Sequence, residues 1–259
     1  MQLVWIITGL LFAAAGATDA AAPFAVGEKL SYRAMWGFIP VGEASLEVRN
    51  IETVAGRPCY RLVAEAHTTG AGRLLYRFDS VVESWLDVAT AATYRHRNQT
   101  TEGKTSYTEE TVFDYAAQTA ITSNLTAGTV QSCRLDGPAL DVISALYTAR
   151  TRPMRPGLPQ SLLIHASATN YVVSFKPEGP TTLDVRPVGA VPAVRIEPLP
   201  TLKFVARHRG RLWFWISNDE RRLPLLAVTN TKLGTARLVL TRIETSPPAP
   251  PRKLAAAIP

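Results

Sequence analysis

The feature that most constrains this chain is an alternation of apolar and polar side chains at every second position. In YRLVAEAH, Tyr60, Leu62, Ala64 and Ala66 fall on one face, and Arg61, Glu65 and His67 on the other. From Arg73 to Asp87, Leu74, Tyr76, Phe78, Val82 and Leu86 oppose Arg73, Arg77, Asp79, Glu83 and Asp87. SYTEETVFDY alternates in the same way, and so does NYVVSFK with Tyr171, Val173 and Phe175. A period of two with one dry face and one wet face is the pattern of antiparallel sheet. Turn residues punctuate it at Gly37 to Pro40, Gly56-Arg57-Pro58 and Glu102-Gly103-Lys104. Such short connections predict a meander, in which neighbours in sequence are neighbours in space.

One segment departs from this period. GPALDVISALYTART places Leu140, Ile143, Leu146 and Tyr147 at helical spacing, between Pro138 and Pro153. It predicts an amphipathic helix at about 138–150, whose apolar stripe the sheet must cover. The expected fold is therefore mainly β: a single antiparallel curved sheet forming a barrel or half-barrel, with one helix. It spans one domain, from about residue 24 to 245. The Pro-rich tail 246–259 carries no period and is expected to be flexible.

RGRLWFWISNDERRLPLLAV, Arg209 to Val228, adds a constraint. Leu212, Phe214 and Ile216 share one face of a strand, and Trp213 and Trp215 share the other. Both faces are apolar, so both need a cover. Asn218 to Arg222 reads as a solvated hairpin loop, with Pro224 opening the return strand. One cover is the helix. The other is either packed core or the wall of a cavity for an apolar ligand. Trp36, Trp213 and Trp215 each also need a partner for the indole N–H.

The first residues, MQLVWIITGLLFAAAGATDA, hold an uncharged run from Leu3 to Ala17 ending in Ala15-Gly16-Ala17. It is short for a membrane span and fits a signal peptide over 1–17 with a small-x-small cleavage site. It lacks a Lys or Arg before the apolar run, and no Cys is placed for a lipid anchor. Export follows, to a periplasmic location, and no later stretch is long enough to span a bilayer. In an oxidising compartment Cys59 and Cys133 would either pair, closing a loop worth about 4 kcal/mol, or remain two free thiols. The formal charge is +7, spread along the chain rather than clustered. Together with the absence of a nucleic-acid module, this favours a lipid or an anionic envelope polymer over nucleic acid as partner.

PFAVGEKLSYRAMWGFIPVGEASLEV, LLYRFDSVVESWLD, LDVISALYTART, RLWFWISNDERRLP and KLGTARLVL occur in that order along the chain. Together they resemble the bacterial exported family known as domain of unknown function 3108. Gly27-Glu28, the turn from Gly37 to Glu43 and Trp215 to Asp219 carry most of the specificity. The resemblance implies a periplasmic or envelope protein of Gram-negative bacteria with a barrel-like antiparallel sheet, and no known activity. Val142 departs from it, standing where the family usually has Pro. In style, the Trp-rich hairpin also resembles the half-barrel lipoprotein carriers of the periplasm.

No nucleophile elbow, zinc-binding helix, phosphate loop or dinucleotide fingerprint is present. His67, His96, His165 and His208 sit at no metal-ligand spacing, so neither metal nor cofactor is expected. His67 shares a wet face with Glu65 and lies near Asp79, an arrangement that admits acid–base chemistry and equally an ordinary surface histidine. His165 reads as a satisfied strand residue. The basic runs Tyr94 to Arg97 and Ala206 to Arg211 would hold a phosphate or carboxylate if adjacent, or else guard sheet edges. Three functions are open. The first is a non-catalytic binding or carrier module using Trp36, Tyr76, Trp213, Trp215, Arg207 and Arg209. The second is an assembly scaffold working through protein contacts, and the third a hydrolase built on His67.

Overall fold

A computed structural model of the chain describes residues 22–186, 188–200, 211–231 and 234–245. The expected leader 1–17, the tail 246–259 and the candidate residues Arg207 and Arg209 lie outside them. The strands are β1 (Glu28–Trp36), β2 (Ile39–Val54), β3 (Arg57–Thr68), β4 (Phe78–Asp87), β5 (Thr93–Glu102), β6 (Thr105–Asp114), β7 (Thr119–Asn124) and β8 (Thr129–Arg134). After them come β9 (Gln160–Ala166), β10 (Thr169–Phe175), β11 (Pro180–Val185), β12 (Gly189–Ile196), β13 (Leu199–Pro200), β14 (Arg211–Ser217), β15 (Pro224–Thr231) and β16 (Gly234–Thr245). Two helices interrupt them, α1 (Gly70–Leu75) and α2 (Val142–Thr151).

Thirteen strands form one antiparallel sheet in the order β11-β12-β14-β15-β16-β1-β2-β3-β4-β5-β6-β7-β8. The first and last strands pair with each other, and meanders run outward from that seam to β8 and β11. The sheet is open, with β8 and β11 as its edges, and it curves around α2 as a half-barrel. The expected mainly β half-barrel is the fold found. The sheet is not single, however. A second sheet of three strands, β13-β10-β9, lies with α2 against the large one, and a parallel bridge from Leu140 to Ile164 ties the segment before α2 to β9.

The helix begins later than its sequence period indicates. Asp141 caps it, accepting hydrogen bonds from the backbone N–H groups of Ile143 and Ser144. A capping carboxylate outweighs the permissive Pro138, so residues 138–140 stay outside the helix. Nor is α2 two-sided: Ser144, Ala145 and every residue from Tyr147 to Arg150 are buried. The segment Gly70–Leu75 is likewise helical rather than the start of β4. This removes Leu74 and Tyr76 from the strand face on which the alternation places them. Gly72 makes the turn possible, because a Cβ there would lie 2.1 Å from the Val41 carbonyl oxygen.

Directly opposed residues of antiparallel strands share a face, so the register reads out the inner wall as rungs. One rung runs Leu30–Leu46–Ala64–Val82–Asn98–Glu109. The next runs Val48–Leu62–Ser84–His96–Thr111–Thr122. The inner wall is thus apolar through β1–β3 and turns polar at β4 to β7. Its apolar part packs Val48, Leu62, Leu86, Val194, Ile196 and Ile216 against Ala145 and Tyr147 of α2. The outer face is a charge ladder, in which Arg61 joins Glu52 and Glu83, and Arg95 binds Glu110 while stacking over the Trp85 ring.

Candidate functional site

Three regions hold the chemistry: a polar cleft inside the half-barrel, a wall of small residues beside it, and an apolar lip at one end. The cleft has a volume of about 240 Å³. It lies between the β4–β6 wall, the first turn of α2 and the β9–β10 turn. His96, Asn98, Glu109, Asp141 and His165 line it. His96 points inward because β5 alternates, which sends Arg95 and Arg97 to the outer face. The run Tyr94 to Arg97 is therefore neither a sheet edge nor one cationic cluster.

His165 is buried on β9. Its Nδ1 pairs with Asn170 Oδ1 at 2.7 Å and its Nε2 approaches Thr122 Oγ1 at 3.4 Å. The Phe113 ring meets it edge-on at 5.4 Å. Burial pushes its pKa below the usual histidine range, and the nearby His96 adds to the effect. Asp141 is fully engaged. One carboxylate oxygen caps α2 and the other accepts from Ser84 and Thr93. Ser84 faces His96 across the ladder, yet its hydroxyl is committed to Asp141 and Ser144, and it is wholly buried. These groups lock the helix to the sheet and expose no nucleophile.

Beyond the cleft the wall carries small side chains. Ala44, Ala66 and Ser80 stand directly opposite one another on β2, β3 and β4, next to Ala64 and Val82 of the adjacent rung. All five are only partly buried. Ala44 packs against the core cluster that includes Leu30 and Tyr32, and the small side chains around it present a partly exposed surface of low relief.

The lip is formed by the β1–β2 hairpin tip and α1. Phe38 is 93 % exposed, Leu74 89 % and Leu75 86 %, with Trp36, Ile39 and Tyr76 exposed beside them. Helix α1 is fixed to the hairpin by the Thr69 N–H, which donates to the Val41 carbonyl at 2.9 Å. The Tyr76 hydroxyl donates to Glu102 at 2.6 Å.

Of the sequence candidates, Trp36 and Tyr76 are exposed at opposite sides of this lip, Trp36 toward Gly234 and Tyr76 toward Glu102, and Trp213 and Trp215 lie elsewhere, on β14. Trp215 packs against a second core cluster that includes Val185, Ala193 and Leu225, while Phe214 and Ile216 belong to the core around α2. Each face of β14 packs on protein toward its Ile216 end, while Leu212 at the other end is exposed. Arg211, bound to Glu197, stacks over the Trp213 ring at 4.9 Å. Neither tryptophan lines the polar cleft, or the second cleft, of about 310 Å³, between Tyr94, Tyr115 and Pro138. His67 lies on the outer face with Nε2 3.9 Å from Glu43, not bonded to Asp79, which Arg73 and Arg77 hold. Cys59 and Cys133 are free thiols on β3 and β8, five strands apart.

Sequence reasoning did not find the inner residues His96, Asn98 and Glu109. The alternation carried the signal, since the period that puts Arg95 outside puts His96 inside. Among the described residues, no cluster of His, Cys, Asp and Glu is placed to hold a metal ion, and no helix is long and apolar enough to cross a membrane.

The half-barrel has a solved counterpart. A beta-barrel-like protein of domain of unknown function DUF1849 from Brucella abortus superposes with a TM-score of 0.58, covering 85% of this chain and 98% of that one at 6% identity. The likeness is one of fold alone. A protein from Bacteroides fragilis, described as exported and of YmcC-like fold, reaches a TM-score of 0.32 at 12% identity over 85% of this chain and 97% of its own. No curated protein matches the sequence. The family whose description reads Protein of unknown function (DUF3108) matches residues 31–241, most of the chain, and the chain belongs to that family.

Proposed function

We propose that the protein is a non-catalytic binding or carrier module of the bacterial envelope that holds an amphiphile, such as a lipid, on its concave face. What supports this reading is the division of one inner wall into two chemistries. The small apolar wall around Ala44 and Ala66 adjoins the polar cleft of His96, Asn98 and Glu109. An acyl chain suits the first and a polar head the second. The apolar lip opens at the same end of the barrel. Catalysis is the weaker reading, because Ser84 and Asp141 are consumed in capping α2 and His67 stands on the outer wall.

The test is native mass spectrometry of protein recovered from the exported fraction of its host, with solvent extraction of the same sample. The expected result is lipid bound at about one molecule per chain, released by solvent. Protein that is always recovered empty, and that takes up no fluorescent fatty acid or phospholipid in titration, overturns the reading.

A further inference from the structure

The polar cleft, the two sheet edges and the free thiols belong either to the site above or to the ordinary anatomy of an open sheet. The lip does not. A soluble domain seldom leaves large apolar side chains side by side in water unless they meet something. Here Phe38 and Ile39, at a hairpin tip, stand beside Leu74 and Leu75, on a helix of six residues. They project from the end of the barrel instead of closing over its core. Nothing in the fold needs Leu74 and Leu75, since α1 is fastened by backbone contacts at Thr69, Gly72 and Val41.

The surroundings identify what the lip meets. Trp36 and Tyr76 flank the aliphatic tip, and amphipathic rings of this kind settle at the boundary between hydrocarbon and headgroups. Arg73 and Arg77 share the single carboxylate of Asp79, and Arg237 lies beside Phe38, while Glu102 accepts from Tyr76 and Glu43 faces His67. The Arg237 guanidinium lies 6.0 Å from the Phe38 ring centroid and donates to the Gly37 carbonyl, and among the described residues no carboxylate binds it. A projecting apolar tip with aromatic shoulders and arginines at its rim, one of them bound to no carboxylate among the described residues, matches an anionic bilayer surface: acyl chains for the tip, phosphates for the arginines. A protein partner would be expected to meet a flatter patch with fixed polar partners.

The geometry points to the β1–β2 hairpin and α1 as a membrane-docking lip that inserts Phe38, Leu74 and Leu75 into the headgroup boundary of an anionic bilayer. This goes beyond the cargo proposed above, because docking acts through the outside of the barrel end and cargo through its inside. It also orients the molecule, setting the mouth of the concave face against the lipid surface.

Tryptophan quenching by brominated lipid in vesicles tests it, with protein as the host processes it. The comparison is phosphatidylcholine alone against phosphatidylcholine with phosphatidylglycerol. The expected result is a blue shift and quenching with the anionic vesicles, weakened by salt, and lost selectively in Trp36→Phe because Trp36 is the reporter on the lip. Phe38→Asp with Leu75→Asp should weaken partitioning about ten-fold or more. Both positions are solvent-exposed, so circular dichroism should be unchanged. Ile51→Asp, at the opposite end of the barrel, should bind like the parent. Quenching that persists in Trp36→Phe, equal binding of the two vesicle types, or no binding to either overturns the proposal, the last leaving this surface to a protein partner. Native mass spectrometry of the same variants separates the two ideas: a Phe38→Asp protein that carries lipid yet ignores vesicles supports docking and cargo as distinct properties.

Discussion

Arg150, in the last turn of α2, holds Glu28, the first residue of β1, through two hydrogen bonds of 2.6 and 3.0 Å, with both side chains buried. The same guanidinium donates to the backbone carbonyls of Pro23 and Arg221 and lies over the rings of Phe24 and Tyr147. Three separate parts of the chain therefore meet at one charge. Removing one partner strands the other in the core, so Arg150→Ala or Glu28→Ala should each cost about 3–5 kcal/mol. The double variant should cost clearly less than the sum of the singles, as read by urea unfolding. Additive losses would mean that the pair is not coupled.

This junction shows what was legible in the sequence and what was not. The segments around Gly27-Glu28, the helix 140–151 and Asn218 to Arg222 stand out one by one, and Arg150 and Arg221 look like ordinary surface charge in each. Only the pairing of β1 with β16 and the placement of α2 bring them together. The sheet itself was readable, because alternation is a local property that survives wherever one face is wet. The start of α2 was misread because helical spacing extends back to Leu140, while the capping oxygen that sets the boundary belongs to Asp141. The lip was misread for the opposite reason. Leu74 and Tyr76 fit the alternation of β4 by accident, and the tight approach of Gly72 to Val41 depends on a contact thirty residues back in sequence. Trp36 and Tyr76 read as aromatics of a strand face or cavity wall, and both are exposed at the lip. His96 was hidden between two arginines.

The thiols give a chemical check on the topology. Cys59 is buried beside Asp87, and burial pushes its pKa up to about 11. A protonated, enclosed thiol reacts slowly. Ellman's reagent should therefore titrate Cys133 in the native protein and both cysteines in guanidinium. A protein with no titratable thiol even when denatured would require a disulfide, and β3 and β8 would then have to lie together.

The wall of small residues can be filled. Ala66→Trp places a large side chain opposite Ala44 and Ser80. If the wall borders a binding space, the variant should lose co-purified lipid and keep its melting temperature within a few degrees. If the wall is packed core, overpacking should cost about 1–3 kcal/mol. The two outcomes are separated by calorimetry and native mass spectrometry on one preparation.

Acid should loosen the barrel through two groups with the same sign. His165 has a pKa below its unfolded value because burial disfavours its charged form, with His96 nearby and Glu109 opposing the shift. The unfolded chain then binds more protons than the folded one as pH falls through about 6.5 and below, so stability drops on acidification. The Asp87 carboxylate is held well below the usual range, chiefly by Arg57 at 2.6 Å and then by the backbone N–H of Thr90 and Ala89. Its contribution is intact at neutral pH and disappears only in strong acid. The melting temperature should therefore fall in two separate steps, and His165→Asn should flatten the one nearer neutrality while leaving the acidic one. Because His165 ties β9 to β7 through Thr122, the first step should coincide with quicker amide exchange in β9 and β10, before the large sheet responds. A single step shared by both sheets would count against that order.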